Sequence, residues 1–257
     1  MLPETTSPAF TFEVPLSRQR AALELAVGYG LILLVLWTPR LFQRPLYLTA
    51  VGWILLTTYL SFDGWTSTGL RPARLGRSLL PVTAALVIAA VSIFFAGRFH
   101  TLHYPVRAGA LLRAFWGYAI WSFVQQFLLQ CFFLLRLLRI LPSHRSAIAV
   151  AAGLFSVAHL PNPILTLLTL LWGLAACMLF LRYRNLYILG LIHAVLGITL
   201  AITVPGPISR NMRVGLGYLR YPSTHHIHRS QSDHTVSTRV CVIADAPTLR
   251  SARHARP

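Results

Sequence analysis

The chain has 257 residues, of which 55% are hydrophobic and only 11% are charged. A soluble domain usually carries about a quarter charged residues, so this composition excludes an ordinary soluble globule. The formal net charge is +17, and every basic residue is arginine. The arginines lie mainly in short breaks between apolar runs and in the C-terminal tail, which is typical of contact with lipid head groups and not of a nucleic-acid interface.

Seven apolar runs predict an all-α, multi-pass transmembrane helical bundle of about seven spans, within a range of six to eight. A helix needs about 20 mostly apolar residues to cross the hydrocarbon core, and its backbone must bond internally there. The predicted spans are roughly 21–38, 45–62, 79–97, 111–135, 146–160, 163–181 and 186–204. The run at 146–160 is short, so we expect a tilted or partly embedded helix.

Composition separates an N-terminal segment and a tail from the membrane part, and a family resemblance divides the membrane part in two. Residues 1–20 form an N-terminal segment that lacks the charged-then-apolar order of a signal peptide. Residues 21–110 hold the N-terminal transmembrane helices, and residues 111–205 form a membrane core. Residues 206–257 are basic and are predicted to be a disordered tail, since their polar composition cannot bury enough apolar surface.

The cysteines and the tail histidines do not predict a structural metal site. The three cysteines show neither metal-type spacing nor a disulfide framework; they are Cys131, Cys177 and Cys241. The tail cluster consists of His225, His226 and His228. It could bind a metal ion adventitiously, but it lacks the ligand spacing of a structural site.

Polar side chains inside the apolar runs are the candidate functional residues, because burying them in lipid is costly. Gln125, Gln126 and Gln130 share one face of the fourth predicted span. His159 lies at the end of the fifth span and His193 lies in the seventh. Two histidines could bind a metal or shuttle protons. Alternatively, these groups hold helices together through hydrogen bonds, and a glycine such as Gly173 would let helices approach closely.

These segments, in this order, resemble the CPBP family of intramembrane proteases, the CAAX-processing and bacteriocin-processing enzymes also called the Abi family. The family pattern is a Glu-Glu-x-x-x-Arg helix, a Phe-x-x-x-His segment and a His-x-x-x-Asn helix. Phe155 and His159 match the second element, and His193 begins the third. The resemblance covers about residues 111–205. It implies a membrane-embedded hydrolase that acts on peptide or lipid-modified protein tails.

The sequence departs from the family pattern at two of the three elements. Gln125, Gln126 and Gln130 stand where the family has its two Glu and its Arg, and Gly197 stands where it has Asn. A neutral amide cannot accept the proton of an attacking water, and general base catalysis contributes about 10²–10⁴-fold. Loss of an oxyanion donor costs a further factor of about 10²–10³. The departures predict weak catalysis or none.

Another carboxylate could replace the missing base. The six in the chain are Glu4, Glu13, Glu24, Asp63, Asp233 and Asp245. Glu24, near the start of the first span, and Asp63, at the end of the second, could border the cavity. The alternatives are an interfacial position for Glu24 and a role for Asp63 in a turn.

Two functions remain open. In the first, the protein is a CAAX-type endopeptidase in which His159 and His193 orient water or bind a divalent metal such as zinc. Gln125 and Gln126, at the family's Glu positions, then hold water or substrate, and the expected substrate contacts are Gln130, Phe155 and Asn162. In the second, a non-catalytic relative, or pseudoenzyme, binds a peptide tail, a lipid or a membrane partner in the same cavity.

The expected surroundings are the same for both functions. The partners are membrane lipids and a peptide or lipid-modified protein, without nucleic acid. The expected location is the cell membrane, specifically a bacterial plasma membrane. A transporter or channel is disfavoured, because the sequence has no visible inverted repeat and no aligned acidic residues.

Overall fold

The computed structural model describes residues 17–62, 64, 67–70, 79–102 and 108–221, and every regular element there is helical. The helices are α1 (Arg18–Trp37), α2 (Arg40–Leu60), α3 (Leu79–Arg98), α4 (Ala108–Phe127), α5 (Leu135–Ile140), α6 (His144–Val157), α7 (Pro163–Tyr183), α8 (Leu186–Thr203), α9 (Gly206–Ser209) and α10 (Gly215–Leu219). A π-helical segment, Leu128–Leu134, joins α4 to α5. A 3-10 turn, Arg210–Met212, follows α9.

Side-chain caps fix where four of the long helices begin. The oxygens of Ser17, Ser143, Asn162 and Asn185 each accept a hydrogen bond from a backbone amide three residues further on. These caps satisfy amide groups that have no partner within the helix. In α7 the cap is followed by Pro163, whose fixed φ suits the first helical position. The boundaries therefore come from local sequence.

The predicted multi-pass helical bundle is confirmed, and helices occupy all seven predicted positions. Five are long and apolar enough to cross a membrane: Arg18–Trp37, Leu80–Arg98, Gly109–Ile140, Pro163–Tyr183 and Leu186–Thr203. Two predicted spans do not meet that standard by themselves. The first turns of α2 carry Arg40 and Arg44, and α6 has only 14 residues. As α6 packs against α7, it is accommodated inside the bundle.

The helices pack into one bundle around the fourth predicted span. α4 and α3 both lie against α8, α6 lies against α7, and α1 lies against α2 and α5. Gly173 confirms the expected close approach of α7, since a Cβ there would lie 3.1 Å from the Cα of Ala152 on α6. Large apolar side chains such as Leu41, Tyr59 and Leu80 remain exposed on the outside. That surface suits contact with lipid.

A buried ion pair ties α1 to α5. The Glu24 carboxylate lies 3.0 Å from the Arg136 guanidinium and 2.9 Å from that of Arg20. Glu24 and Arg136 are 4% and 3% exposed, respectively. Arg136 also donates to the carbonyls of Cys131 and Phe132. Two charges that would each be costly alone in a bilayer therefore neutralise one another.

Residues 206–221 differ from the disordered tail that we predicted from residue 206 onward. They form α9, the 3-10 turn and α10. The Gly215 amide donates to the Leu160 carbonyl at 2.8 Å, and the Arg210 guanidinium lies over the rings of Tyr218 and Tyr221. These contacts hold residues 206–221 in place, and the composition of the segment does not reveal them.

Several predictions fall outside the described residues. They concern the N-terminal segment up to residue 16, the turn at Asp63, and the tail from residue 222 onward with Cys241 and its three clustered histidines. The other two cysteines, Cys131 and Cys177, are buried and carry free thiols.

Candidate functional site

A cavity of about 240 Å³ lies between α1, α2, α4 and the segment that follows α6. One wall consists of apolar side chains, among them Ile32 from α1 and Ala50 from α2. The polar lining residues come from α4, α7, α8 and the turn that follows α6, and the part of the cavity that they line is called its polar end. They are Tyr118, Gln125, His159, Thr169 and His193. A largely apolar cavity with a few convergent polar groups is typical of a small-molecule or tail-binding site.

His159 is held in one tautomer by its own helix turn. Its Nδ1 lies 2.7 Å from the Phe155 carbonyl, which can only accept, so Nδ1 carries the proton. The other ring nitrogen, Nε2, therefore presents a lone pair. The amide nitrogen of Gln125 is the neighbour of Nε2, at 3.5 Å, which is the outer limit of a hydrogen bond. The Nε2 of His159 is thus the most available proton acceptor at the polar end of the cavity.

His193 ends a chain of buried amides. The Nε2 of Gln130 donates to the Oε1 of Gln126 at 3.2 Å, and the Nε2 of Gln126 lies 3.0 Å from the Nδ1 of His193. Gln126 and Gln130 are fully buried. With the amide donating, Nδ1 is the acceptor and the proton of His193 resides on Nε2. The lone pair of His193 is consequently already used by the protein.

The π-helical segment sets the geometry of this amide chain. It begins directly after Phe127, and the Leu135 amide donates to the Gln130 carbonyl five residues back. Such segments are rare and often occur at functional sites. Sequence periodicity did not predict it, because apolar residues flank Gln130 on both sides and Leu129–Leu134 are all buried. It leaves the side chain of Gln130 pointing at Gln126.

Aromatic rings enclose the two histidines. The Phe155 ring centroid is 4.9 Å from that of His159 and 6.1 Å from that of His193. The Trp172 ring lies 5.9 Å from the ring of His193. The Trp172 indole nitrogen is buried and has no hydrogen-bond partner among the described residues. The imidazoles therefore lie in mostly apolar surroundings.

Glu24 does not supply the missing base in this structure. It is absent from the lining of the cavity, and its carboxylate is engaged by Arg136 and Arg20. Arg136 lies ten residues beyond Gln126, roughly 15 Å along the helix axis at about 1.5 Å per residue. Glu24 is the only carboxylate among the described residues. Of the described residues, none at the polar end of the cavity is acidic.

The donor set does not fit a catalytic zinc site. Such sites have three protein ligands and an open fourth position. The described part of the chain holds no group of three or more His, Cys, Asp or Glu side chains that could bind one metal ion. The Gln126 amide also occupies the lone pair of His193, so His159 is the one of the two histidines that presents a free ring nitrogen.

Two predicted substrate contacts lie apart from the cavity. Gln130 is fully buried within the amide chain, and its Oε1 has no partner among the described residues. Asn162 is fully buried, caps α7, and donates to the carbonyls of Ser209 and Arg213 at 2.9 and 3.1 Å. By contrast, Phe155 lines the cavity, as do Gln125 and both histidines.

Tyr118 is the residue that sequence reasoning missed. It lies seven residues before Gln125, two turns earlier on the same face of α4, and lines the cavity. Its phenol lies against Gly197 of α8, where a Cβ would collide with the hydroxyl. Gly197 is the position at which the family pattern has Asn. The helical spacing from Gln125 was the available signal, and the packing against Gly197 was not visible in the sequence.

Comparison with known proteins agrees with the resemblance. Residues 107–199 match the family model described as "Type II CAAX prenyl endopeptidase Rce1-like". The matched segment is a little more than a third of the chain and runs from α4 into α8. No curated protein and no solved structure matches the chain. Over residues 107–199 the membrane core is therefore similar to the Rce1-like, CPBP family.

Proposed function

We propose that this protein binds an apolar tail, carried by a peptide or a lipid, in its intramembrane cavity without hydrolysing it. The observation that carries the proposal is the chain of amides from Gln130 through Gln126 to His193. In the family pattern, acidic and basic groups stand at these positions. Here the corresponding side chains are neutral and bond to one another, which supports a stable binding cavity.

The chemistry at the polar end disfavours turnover. An amide nitrogen donates to His193 where a carboxylate would accept a proton. Loss of a general base lowers a rate by about 10²–10⁴-fold. A glycine at position 197 has no side chain to donate to an oxyanion, which removes a contribution of about 10²–10³.

The walls of the cavity favour an apolar ligand that enters from the bilayer. Tyr47, Leu55 and Val124 line the cavity and also remain exposed on the outside of the bundle. The opening therefore faces the side that contacts lipid. A prenyl or acyl chain could enter there without crossing a polar surface. The proposed partner is thus a membrane lipid or a lipid-modified protein tail.

A second candidate function is slow endopeptidase activity with His159 as the base. The supporting observation is the 3.5 Å separation between its Nε2 and the Gln125 amide, which leaves this lone pair facing the cavity. Water activated by His159 would attack a peptide carbonyl at the polar end. This candidate requires His159, whereas tail binding does not.

Binding is tested with the full chain in nanodiscs and a fluorescent S-farnesylated peptide. We expect saturable binding that is lost in Ala50→Trp, because Ala50 is 5% exposed and lines the cavity. The matched control is Gly52→Trp on the same helix, where nothing lies within 4 Å. If the Ala50→Trp variant does not fold, the Val51→Trp variant serves in its place, because Val51 also lines the cavity. No saturable binding by the original protein, or equal binding by the blocked and control variants, would overturn the proposal.

Catalysis is tested by mass spectrometry of the same peptide after incubation. We expect no cleavage by the original protein and unchanged binding by His159→Ala. Cleavage that disappears in His159→Ala would instead establish the second candidate. A gain of cleavage in a Gln125→Glu, Gln126→Glu variant, absent from the exposed-site control Gln19→Glu, would locate the defect at the two glutamines.

We also propose the plasma membrane of a bacterium as the location. The multi-pass helices support the membrane, and the exclusive use of arginine among basic residues supports a GC-rich genome. Membrane fractionation of the source organism tests this directly.

A further inference from the structure

The polar end of the cavity offers mainly hydrogen-bond donors to a ligand. Tyr118 and Gln125 lie on one face of α4 and line the cavity, and each side chain carries a hydrogen-bond donor. With Nδ1 of His193 accepting from Gln126, the Nε2 of that ring carries a further N–H. Thr169 contributes little, because its hydroxyl already donates to the Leu165 carbonyl at 2.6 Å. Apart from the lone pair on Nε2 of His159, these groups therefore suit a ligand that brings an acceptor.

Tyr118 and Gly197 form a matched pair across α4 and α8. Gly197 lies one turn beyond His193, and its missing side chain leaves the room that the phenol hydroxyl occupies. Any larger residue at position 197 would displace the ring. The Ser122 hydroxyl donates to the Tyr118 carbonyl at 2.9 Å, within the next turn of the helix. Tyr118 thus places its hydroxyl against α8 at Gly197, one turn beyond His193, where the family pattern has Asn.

We propose that the Tyr118 hydroxyl is a specificity-determining contact that donates a hydrogen bond to a carbonyl or carboxylate oxygen at the polar end of the bound tail. The inference rests on the proposed tail-binding function and deepens it. The apolar wall accepts the hydrocarbon chain, and Tyr118, with Gln125, selects chains that end in an oxygen acceptor. A plain hydrocarbon would offer no acceptor to the Tyr118 hydroxyl, which is unfavourable in a site shielded from water.

The experiment compares two probes that share one hydrocarbon chain. S-farnesylcysteine methyl ester carries a carbonyl, and farnesyl methyl thioether does not. Each displaces the fluorescent farnesylated peptide from the protein in nanodiscs. We expect the original protein to prefer the ester. Tyr118→Phe should weaken ester binding by about threefold to tenfold, the value of one hydrogen bond, and leave thioether binding unchanged.

Two further variants separate the hydroxyl from general packing. Tyr47→Phe is the matched control, because Tyr47 lines the same cavity from α2 and should not discriminate between the probes. Tyr118→Ala with Gly197→Asn supplies a donor from α8 in the vacated space and should restore preference for the ester. Tyr118→Ala alone should lack this preference.

The outcomes distinguish the two proposals. If the original protein binds neither probe, tail binding fails and the role of Tyr118 fails with it. If it binds both probes equally, or if Tyr118→Phe weakens both equally, only the role of Tyr118 is overturned and tail binding stands. Selective loss of the ester supports both.

Discussion

Single residues decide the chemistry of this site. The decisive difference from the family pattern is that neutral amide side chains stand where the pattern has charged ones. Gln126 receives a hydrogen bond from Gln130 and gives one to His193, all in a fully buried position. An ionised carboxylate could accept the hydrogen bond from Gln130, but it could not donate one to His193 unless it were protonated. The glutamines therefore stabilise the fold at the positions where relatives are expected to carry out catalysis.

We expect Gln126→Leu to lower the free energy of unfolding by about 2–4 kcal/mol, because it leaves two buried polar groups, on Gln130 and His193, without partners. Thermal unfolding of the purified protein in detergent measures the effect. The control is Gln19→Leu at an exposed position of α1, which should change stability by less than about 0.5 kcal/mol. Equal stability of the two variants would show that the hydrogen bonds from Gln130 through Gln126 to His193 do not stabilise the fold.

At the scale of helices, a charge pair and a close approach hold the bundle together. α1 is fastened to α5 by Glu24 and Arg136, and α7 approaches α6 through Gly173. Apolar attraction alone does not orient helices in lipid, because the surrounding chains are equally apolar. Specific polar and small residues therefore determine which faces meet.

Glu24→Gln should destabilise the protein by about 3–5 kcal/mol, since it leaves the buried Arg136 charge without its partner. A double variant, Glu24→Gln with Arg136→Met, should recover much of that loss. Arg20→Ala is the control, because the Arg20 side chain is 44% exposed and its pairing contributes no more than about 1 kcal/mol. Chemical denaturation of the original protein, Glu24→Gln, Arg136→Met and the double variant measures the coupling. Additive losses in the double variant would show that the two charges do not interact.

At the scale of the whole molecule, the segment 205–221 closes the bundle beside His159. Asn162 donates to two of its backbone carbonyls, and Gly215 donates to the Leu160 carbonyl. Met212 and Val214 of this segment line the cavity. The family match ends at residue 199, so this closing segment lies beyond the matched core.

Asn162→Ala should release this segment, and Asn185→Ala should not. Both variants lose a helix cap worth about 1 kcal/mol, but only Asn162 also binds the carbonyls of Ser209 and Arg213. Limited trypsin digestion measures the difference as faster cleavage after Arg210 and Arg213 in Asn162→Ala. Similar cleavage of the two variants would mean that other contacts hold the segment.

Sequence patterns predicted the helices well, because helix formation in lipid depends on residues that are near one another in the chain. Runs of apolar residues require internally bonded backbone, and caps such as Ser17 and Asn185 mark where helices begin. The order of Phe155, His159 and His193 along the chain also indicated the family, and the family match at residues 107–199 confirms it. The local patterns predicted that Gln125, Gln126 and the two histidines could converge, and the tertiary structure brings Gln125 to His159 and Gln126 to His193.

The sequence by itself thus determined the membrane class, the helices, the family core and the absence of charge at its motif. Only the tertiary structure decided that Glu24 pairs with Arg136, that Tyr118 packs against Gly197 and that residues 206–221 cover the cavity. These contacts join residues far apart in the chain. Hydropathy and helical period specify which face of a helix is apolar or polar, but they do not specify which other face it meets.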